Sequence, residues 1–279
     1  MLHEPLQFFS KYIEKELGIV YTESNYFQLR TRLEEIAKLL GFADIEALHQ
    51  KARLGISGDF KQLVLDTATN NETSFFRDPK VFQVFENVIL PELTKNHSTL
   101  PELRIWSAAS SFGQEAYSLS MLLHDYQLKH PRPSFKIVAS DIAERVLERA
   151  RKGRFSQLEI QRGLPMPLAL KHFEKDDQNW WTIKSYLKKS VEFRKQNLLD
   201  PFASMGTFHV IFCRNVLIYQ NVENKTQIIK RLTACLAPGG YLVLGAGESL
   251  IGLSDDFEFT KVDGIIWYKR KSQKEAIAA

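Results

Sequence analysis

Apolar residues recur at helical spacing through the first 68 positions of the 279-residue chain. Phe9, Ile13 and Leu17 stand four apart, and Leu29, Leu33, Ile36, Ala37 and Leu40 form a second apolar stripe that ends at Gly41, a C-terminal cap residue. Shorter amphipathic stretches lie around Ile45 and Leu48 and around Phe60, Leu63 and Val64. Residues 1–68 therefore read as a small all-α N-terminal domain, without a cluster of catalytic side chains.

From Leu103 onward, short apolar runs alternate with amphipathic stretches, as parallel strands alternate with their crossover helices. Leu103–Ala108, Phe135–Ala139, Phe208–Cys213 and Tyr241–Leu244 read as strands. Helices are expected from Gly113 to about Lys129, with Ala116, Leu119, Leu122 and Leu123 inward, and from Ala143 to Lys152, with Val146, Leu147 and Ala150 inward. Another, carrying Ile228, Ile229, Leu232 and Leu236, precedes a Pro238-Gly239-Gly240 turn. Asp263-Gly264 between Glu258–Val262 and Ile265–Lys269 is a hairpin signal, so an antiparallel pair should close the parallel sheet. Lys271–Ala279 reads as a frayed polar tail.

Composition narrows the class. With 44% hydrophobic and 25% charged residues, the chain resembles an ordinary globular protein rather than a disordered or fibrous one. Its two cysteines, Cys213 and Cys235, have no Cys or His at metal-ligand spacing, so no disulfide framework or metal site is indicated, and a reducing cytoplasm is expected. No signal-peptide pattern opens the chain, and no apolar run approaches the ~20 residues that span a bilayer, so neither secretion nor membrane insertion is expected. The net charge of +4 is unevenly spread: residues 1–69 hold 8 Lys/Arg against 10 Asp/Glu, and residues 151–200 hold 11 against 6. The basic stretch is either a surface for an acidic partner or nucleic acid, or a solvated face.

Ligands of open parallel sheets bind beyond the carboxyl ends of the strands, beside the first strand. The loop there contains the small residues Ser107 to Ser111 and a single glycine, Gly113; the dinucleotide pattern G-x-G-x-x-G is absent. A pyrophosphate needs glycines so that several amides can approach it at a helix start. S-adenosylmethionine carries no phosphate and has no such requirement, which shifts the odds away from NAD. Asp141, ending the second strand, stands where an acid accepts hydrogen bonds from ribose hydroxyls, or alternatively where it caps the next helix. Glu115, in the first turn of the helix after the loop, either reaches the cofactor or complements the helix dipole.

Four stretches together resemble the chemotaxis receptor glutamate methyltransferases, the CheR family: N-E-T-S-F-F-R at Asn71 to Arg77, W-S-A-A-S-S-F-G-Q-E at Trp106 to Glu115, A-S-D-I at Ala139 to Ile142, and F-C-R-N-V-L-I-Y at Phe212 to Tyr219. The resemblance implies an S-adenosylmethionine-dependent methyltransferase fold, a Rossmann-like doubly wound α/β sheet with an antiparallel last strand. This domain would occupy residues 69–279, with a small β insertion at about 172–193. It implies cofactor contacts from Asn71, Thr73, Arg77, Glu115, Asp141, the pair Asn197-Leu198 and the pair Arg214-Asn215. Asn197 either bonds the adenine edge, with Leu198 against the ring, or starts a turn. Arg77 and Tyr219 resemble the residues nearest the transferred methyl; Phe75 and Phe76 read as packing.

The implied reaction gives glutamate γ-methyl esters on the cytoplasmic helical domain of chemoreceptors, with S-adenosyl-L-homocysteine as product. Two features depart from the family. Its N-terminal bundle should bring a basic helix to the receptor, but here the segment is net acidic, with Arg30, Arg32 and Lys38 left to share a face. Members that dock a receptor tail peptide on the insertion carry a glycine-containing turn, whereas His172 to Phe193 contains no glycine, so no tail-peptide tether is expected. Asp176 to Asn179 supply the turn, and Trp180 and Trp181 offer either a docking patch or core packing. The alternatives are a methyltransferase acting on RNA or a small molecule, and a non-catalytic cofactor-binding scaffold. No nucleic-acid partner is expected.

Overall fold

The structure is a computed structural model and describes residues 3–96 and 100–272. Helices α1 (His3–Leu17), α2 (Tyr26–Leu39), α3 (Ile45–Arg53) and α4 (Gly58–Ala68) pack around Phe9, Ile13, Leu29, Leu33, Leu48 and Val64. These are the residues whose spacing aligned them on single helix faces. Arg32 does not share a surface with Arg30 and Lys38. It turns inward, and its Nη1 donates to the carbonyls of Thr67, at 3.0 Å, and of Ala68. The reason is the end of α4, whose carbonyls have no helical partner and attract a cation. Tyr21 Oη donates to the same Ala68 carbonyl at 3.1 Å, and Arg30 pairs with Glu34 on its own helix.

Beyond α4 an extended linker leads to α5 (Pro79–Val84), a π-helical turn over Phe85–Ile89, and α6 (Leu90–Asn96). The sheet then begins with β1 (Glu102–Ala108), followed by α7 (Gln114–Lys129), β2 (Ser134–Asp141) and α8 (Glu144–Lys152). A small three-stranded sheet comes next, built from β3 (Arg154–Ser156), β4 (Phe173–Lys175) and β5 (Trp180–Ile183) in the order β3-β5-β4. Helices α9 (Gln157–Gln161) and α10 (Met166–His172) separate β3 from β4, and α11 (Ser185–Lys189) follows β5. The chain returns to the main sheet as β6 (Val191–Lys195), β7 (Phe208–Cys213), α12 (Val222–Cys235), β8 (Leu236–Leu244), β9 (Phe257–Val262) and β10 (Ile265–Arg270).

The main sheet runs β6-β2-β1-β7-β8-β10-β9. Its first five strands are parallel, and β10 is antiparallel to both neighbours. Alternation along the strands sorts side chains onto two faces. Ile105, Val210, Phe212 and Val243 join Phe85, Tyr117 and Trp267 on one side, whereas Trp106, Ile211, Leu242 and Leu244 meet Phe202, Ile228 and Leu232 on the other. All six residues of β7 are buried, as a strand covered on both faces requires.

Two boundaries differ from the sequence expectation. The small sheet starts at Arg154, not near 172, because its first strand is too short to show alternation, and Val191–Phe193 already belongs to the main sheet. Pro238–Gly240 is not a turn between helix and strand but lies inside β8, where the register against β7 shifts between Phe208 and Val210. Between β4 and β5, Asp176 Oδ1 accepts from Gln178 N at 3.0 Å and Trp180 N at 2.9 Å, and Asn179 takes a positive φ of 63°. Trp181 is buried, while Trp180 faces outward under the Arg154 guanidinium, 4.9 Å from its ring centre. The expected tail lies almost wholly outside the described residues.

Candidate active site

The carboxyl ends of β1, β2, β6 and β7 open into one cleft, beside β1 where the strand order reverses. The cleft and the open solvent at its mouth together span about 960 Å³. The sequence-predicted residues Asn71, Thr73, Arg77, Glu115 and Asp141 all line it. So do Asn197, Leu198, Arg214, Asn215 and Tyr219, so none of the predicted set falls elsewhere. Leu17 and Ile19, at the end of α1, close the cleft from the helical domain.

The loop after β1 takes positive φ at Ala109 (55°), Ser111 (51°) and Gly113 (87°). Such conformations are costly for residues with a side chain and persist where surrounding bonds hold them. Here Ser110 N–H donates to Ser140 O at 2.8 Å, Ser111 N–H to Asp141 Oδ2 at 2.8 Å, and Ser111 Oγ to Asn71 O at 2.8 Å. The loop amides are thus spent on protein acceptors and do not form a phosphate cradle.

Asp141 also accepts from Ala143 N–H at 3.0 Å, so it does steady the entry to α8. The Ile142 amide also bonds the carboxylate, and with about four lone-pair sites on its two oxygens it keeps capacity to accept from a hydroxyl. Burial raises its pKa above the ordinary carboxylate value, outweighing the downward pull of the Ala143 and Ser111 amides. Glu115 accepts Ser107 Oγ at 2.8 Å and Arg214 Nη1 at 2.9 Å, and so does more than complement a dipole.

Arg214 ties the site together. Its side chain is 2% exposed, and Nη2 reaches both the Arg77 carbonyl at 2.9 Å and Asp78 Oδ2 at 2.5 Å. Arg77 itself donates from Nη1 to Glu72 O at 3.1 Å, and the Tyr219 hydroxyl receives Asn70 Nδ2 at 2.8 Å. Asn197 plays its turn role: Oδ1 accepts Leu199 N–H at 3.0 Å, and Nδ2 donates to Glu16 O at the end of α1, at 2.8 Å. Each end of its amide keeps one further hydrogen-bonding site, so the turn role and the position on the cleft wall are compatible. Phe75 packs edge-on against Phe155 and Phe173 of the small sheet, and Phe76 against Phe82.

Sequence reasoning missed Asn70, Ser111, Gln220 and Glu248. Ser111 sits inside the motif Trp106 to Glu115 and Asn70 directly precedes the one that begins at Asn71, and those positions were the available signal. Gln220 lines the cleft and donates from Nε2 to Leu17 O at 3.0 Å. Glu248 stands in a Gly245-Ala246-Gly247-Glu248 loop at the carboxyl end of β8, a place where an acid could have been noticed.

The cleft suits a cofactor that offers hydroxyls and an amino group. Glu115 and Asp141 supply acceptors, and Ser110 Oγ and Arg214 Nε are buried without a hydrogen-bond partner among the described residues. Sheet order, reversed strand and acceptor-rich floor together define an S-adenosylmethionine-dependent methyltransferase. Comparison with known proteins is more specific, because residues 71–266 match the family model described as CheR methyltransferase, SAM binding domain. A chemotaxis protein methyltransferase from Vibrio parahaemolyticus is 39% identical over 265 residues, 94% of this chain and 95% of that protein. Chemotaxis protein methyltransferase 1 from Pseudomonas aeruginosa is 37% identical over 268 residues, 95% of this chain and 97% of that protein. The chain belongs to the CheR methyltransferase family.

Arg214→Ala is expected to lower the unfolding free energy by ~3 kcal/mol or more, because Glu115, only 13% exposed, is left without its counter-charge. Urea denaturation measures this; a loss below about 1 kcal/mol would mean that the cluster relaxes around water.

Proposed function

We propose that the protein transfers a methyl group from S-adenosylmethionine to glutamate side chains in the cytoplasmic helical domain of chemotaxis receptors, giving γ-methyl esters. One observation carries the proposal: Arg77 and Tyr219 share a cleft with the acceptor-rich floor formed by Glu115 and Asp141. Near-full-length relatives named as chemotaxis protein methyltransferases support it.

Asp141 would hold the ribose hydroxyls, Glu115 the amino group, and Leu198 a face of the adenine. Bound there, S-adenosylmethionine supplies an electrophilic methyl on a sulfonium. An acceptor glutamate is ionised near neutral pH, so no strong general base is needed. The protein's task is positioning, which for well-aligned groups is equivalent to ~10⁵–10⁸ M effective concentration. Arg77 orients the acceptor carboxylate; gripping it harder would stabilise the ground state as much as the transition state. Tyr219 receives the Asn70 amide on its oxygen and keeps its own proton to donate, either to the acceptor or to the cofactor carboxylate.

An RNA substrate is disfavoured by how the basic stretch is used. Arg151, Arg154, Arg162 and Arg194 are paired with Glu144, Asp176, Glu72 and Glu192, and Lys184 and Lys188 donate to main-chain carbonyls. A scaffold role is disfavoured because Arg77, Asp141, Arg214 and Tyr219 all stand in the cleft. No helix among the described residues is long and apolar enough to cross a membrane; an enzyme acting on the receptors' cytoplasmic domain works in the cytoplasm.

The direct test is incubation with radiolabelled S-adenosylmethionine and receptor-containing membranes. A base-labile methyl ester on receptor glutamates is the expected product, and label in RNA instead would overturn the proposal. In that assay Arg77→Ala should lower kcat/KM roughly 100-fold, about 2.7 kcal/mol of transition-state stabilisation, and Tyr219→Phe roughly tenfold.

Asp141→Ala should weaken S-adenosylhomocysteine binding by ~1–3 kcal/mol, read by calorimetry. The ionised carboxylate is the acceptor, and its pKa is raised. Affinity should therefore fall on acidification, beginning above the pH at which an ordinary aspartate titrates; Asp141→Asn should lose that step.

The small sheet argues for direct recognition of the acceptor helices. Its edge strand β4 spans three residues and is closed by a tight turn, which leaves little ladder for an added peptide strand. Receptor tail pentapeptides should show no binding by calorimetry; micromolar affinity abolished by changes in this sheet would refute that.

A further inference from the structure

Four successive amides, those of residues 215–218, converge on one carboxylate. Asn215 N–H donates to Glu248 Oε2 at 2.8 Å, while Val216, Leu217 and Ile218 donate to Oε1 at 2.9, 2.7 and 3.2 Å. Gly245 N–H adds a bond to Oε2 at 2.7 Å. Successive amides curved in this way form a nest that attracts anions. Here the anion is a side chain of the same protein, brought in from the loop after the neighbouring strand.

The loop so held joins β7 to the short 3₁₀ turn Leu217–Tyr219 and carries Arg214, Asn215 and Tyr219. Asn215 sits at φ 58°, a sparsely populated conformation that the carboxylate's bonds maintain. The approach is close: a Cβ at Gly245 would stand 2.7 Å from Asn215 Nδ2 and 2.8 Å from both Asn215 N and Glu248 Oε2.

The three cleft residues do not depend on Glu248 equally. Arg214 is pinned independently by Glu115, Asp78 and the Arg77 carbonyl. Tyr219 has the Asn70 amide on its hydroxyl and the Val20 amide on its carbonyl, and it follows directly on the four residues whose amides Glu248 accepts.

We infer that Glu248 is the positioning residue of the methyl-transfer loop: its carboxylate moulds residues 215–218 and thereby sets where Tyr219 stands. The inference rests on the methyl-transfer role given to Tyr219 but not on which acceptor is methylated. Glutamine at 248 would keep one acceptor oxygen and turn an NH₂ group toward amide donors, so Glu248→Gln removes the mould at nearly constant volume.

Two readouts test this. Amide hydrogen exchange needs no substrate, and in Glu248→Gln residues 215–218 should exchange about tenfold faster than in the native protein. In the methylation assay Glu248→Gln should lower kcat about tenfold, with S-adenosylhomocysteine affinity kept within about threefold; in a Tyr219→Phe background the same change should cost less than about threefold. Should Glu248→Gln fail to fold, Gly245→Ala displaces the loop from the other side and should reproduce the pattern. Unchanged exchange, a loss confined to cofactor affinity, or an undiminished loss in the Tyr219→Phe background would overturn the inference. Faster exchange in a protein whose native form methylates no receptor would sink the receptor substrate while supporting the loop's dependence on Glu248.

Discussion

A single buried guanidinium holds the cleft together. Arg214 leaves the end of β7 and meets the helix after β1 through Glu115, and the linker from the helical domain through Asp78 and the Arg77 carbonyl. Three segments far apart in sequence are thereby fixed to one charge. A buried arginine needs partners for its donors; two carboxylates and a carbonyl supply them for Nη1 and Nη2, while Nε has none among the described residues. Lysine would offer a point charge without the fork, so it would not span the same partners.

The sequence made the sheet legible because β1, β7 and β8 are long enough to show apolar runs and the helices between them bury one clear stripe. It also made the cleft legible, since Asp141 ends β2 and Glu115 opens the helix after β1, whereas Arg77, Arg214 and Tyr219 came from the motifs that resemble the family. It was silent on contacts between distant segments. Helical spacing turns Arg32 away from Arg30 on α2, two residues being more than half a turn, but says nothing of the free carbonyls at the end of α4 that draw it inward. The three residues of β3 are too few to show a period, so the small sheet seemed to begin later than it does. Asn197 carried two readings, and the bond it makes to the end of α1 belonged to neither.

Glu248 illustrates the same limit from the other side. Its role needs two loops, after β7 and after β8, to meet with about one atom's clearance, and neither loop has a repeating pattern from which that meeting can be read. Gly245, the first residue after β8, is informative only once the neighbour that crowds it is known.

The roof over the cleft comes from the helical domain. Asn197 bonds Glu16 O, Gln220 bonds Leu17 O, and the Val20 amide bonds Tyr219 O at 3.1 Å. Gly18 lies between them at φ 71°, where a Cβ would stand 2.0 Å from Gln220 Oε1. The amino-terminal helices are consequently not an adaptor that can be exchanged for another without touching the chemistry. Any graft that replaced them would have to rebuild a wall of the cleft, which ties the evolution of the helical domain to that of the pocket it covers.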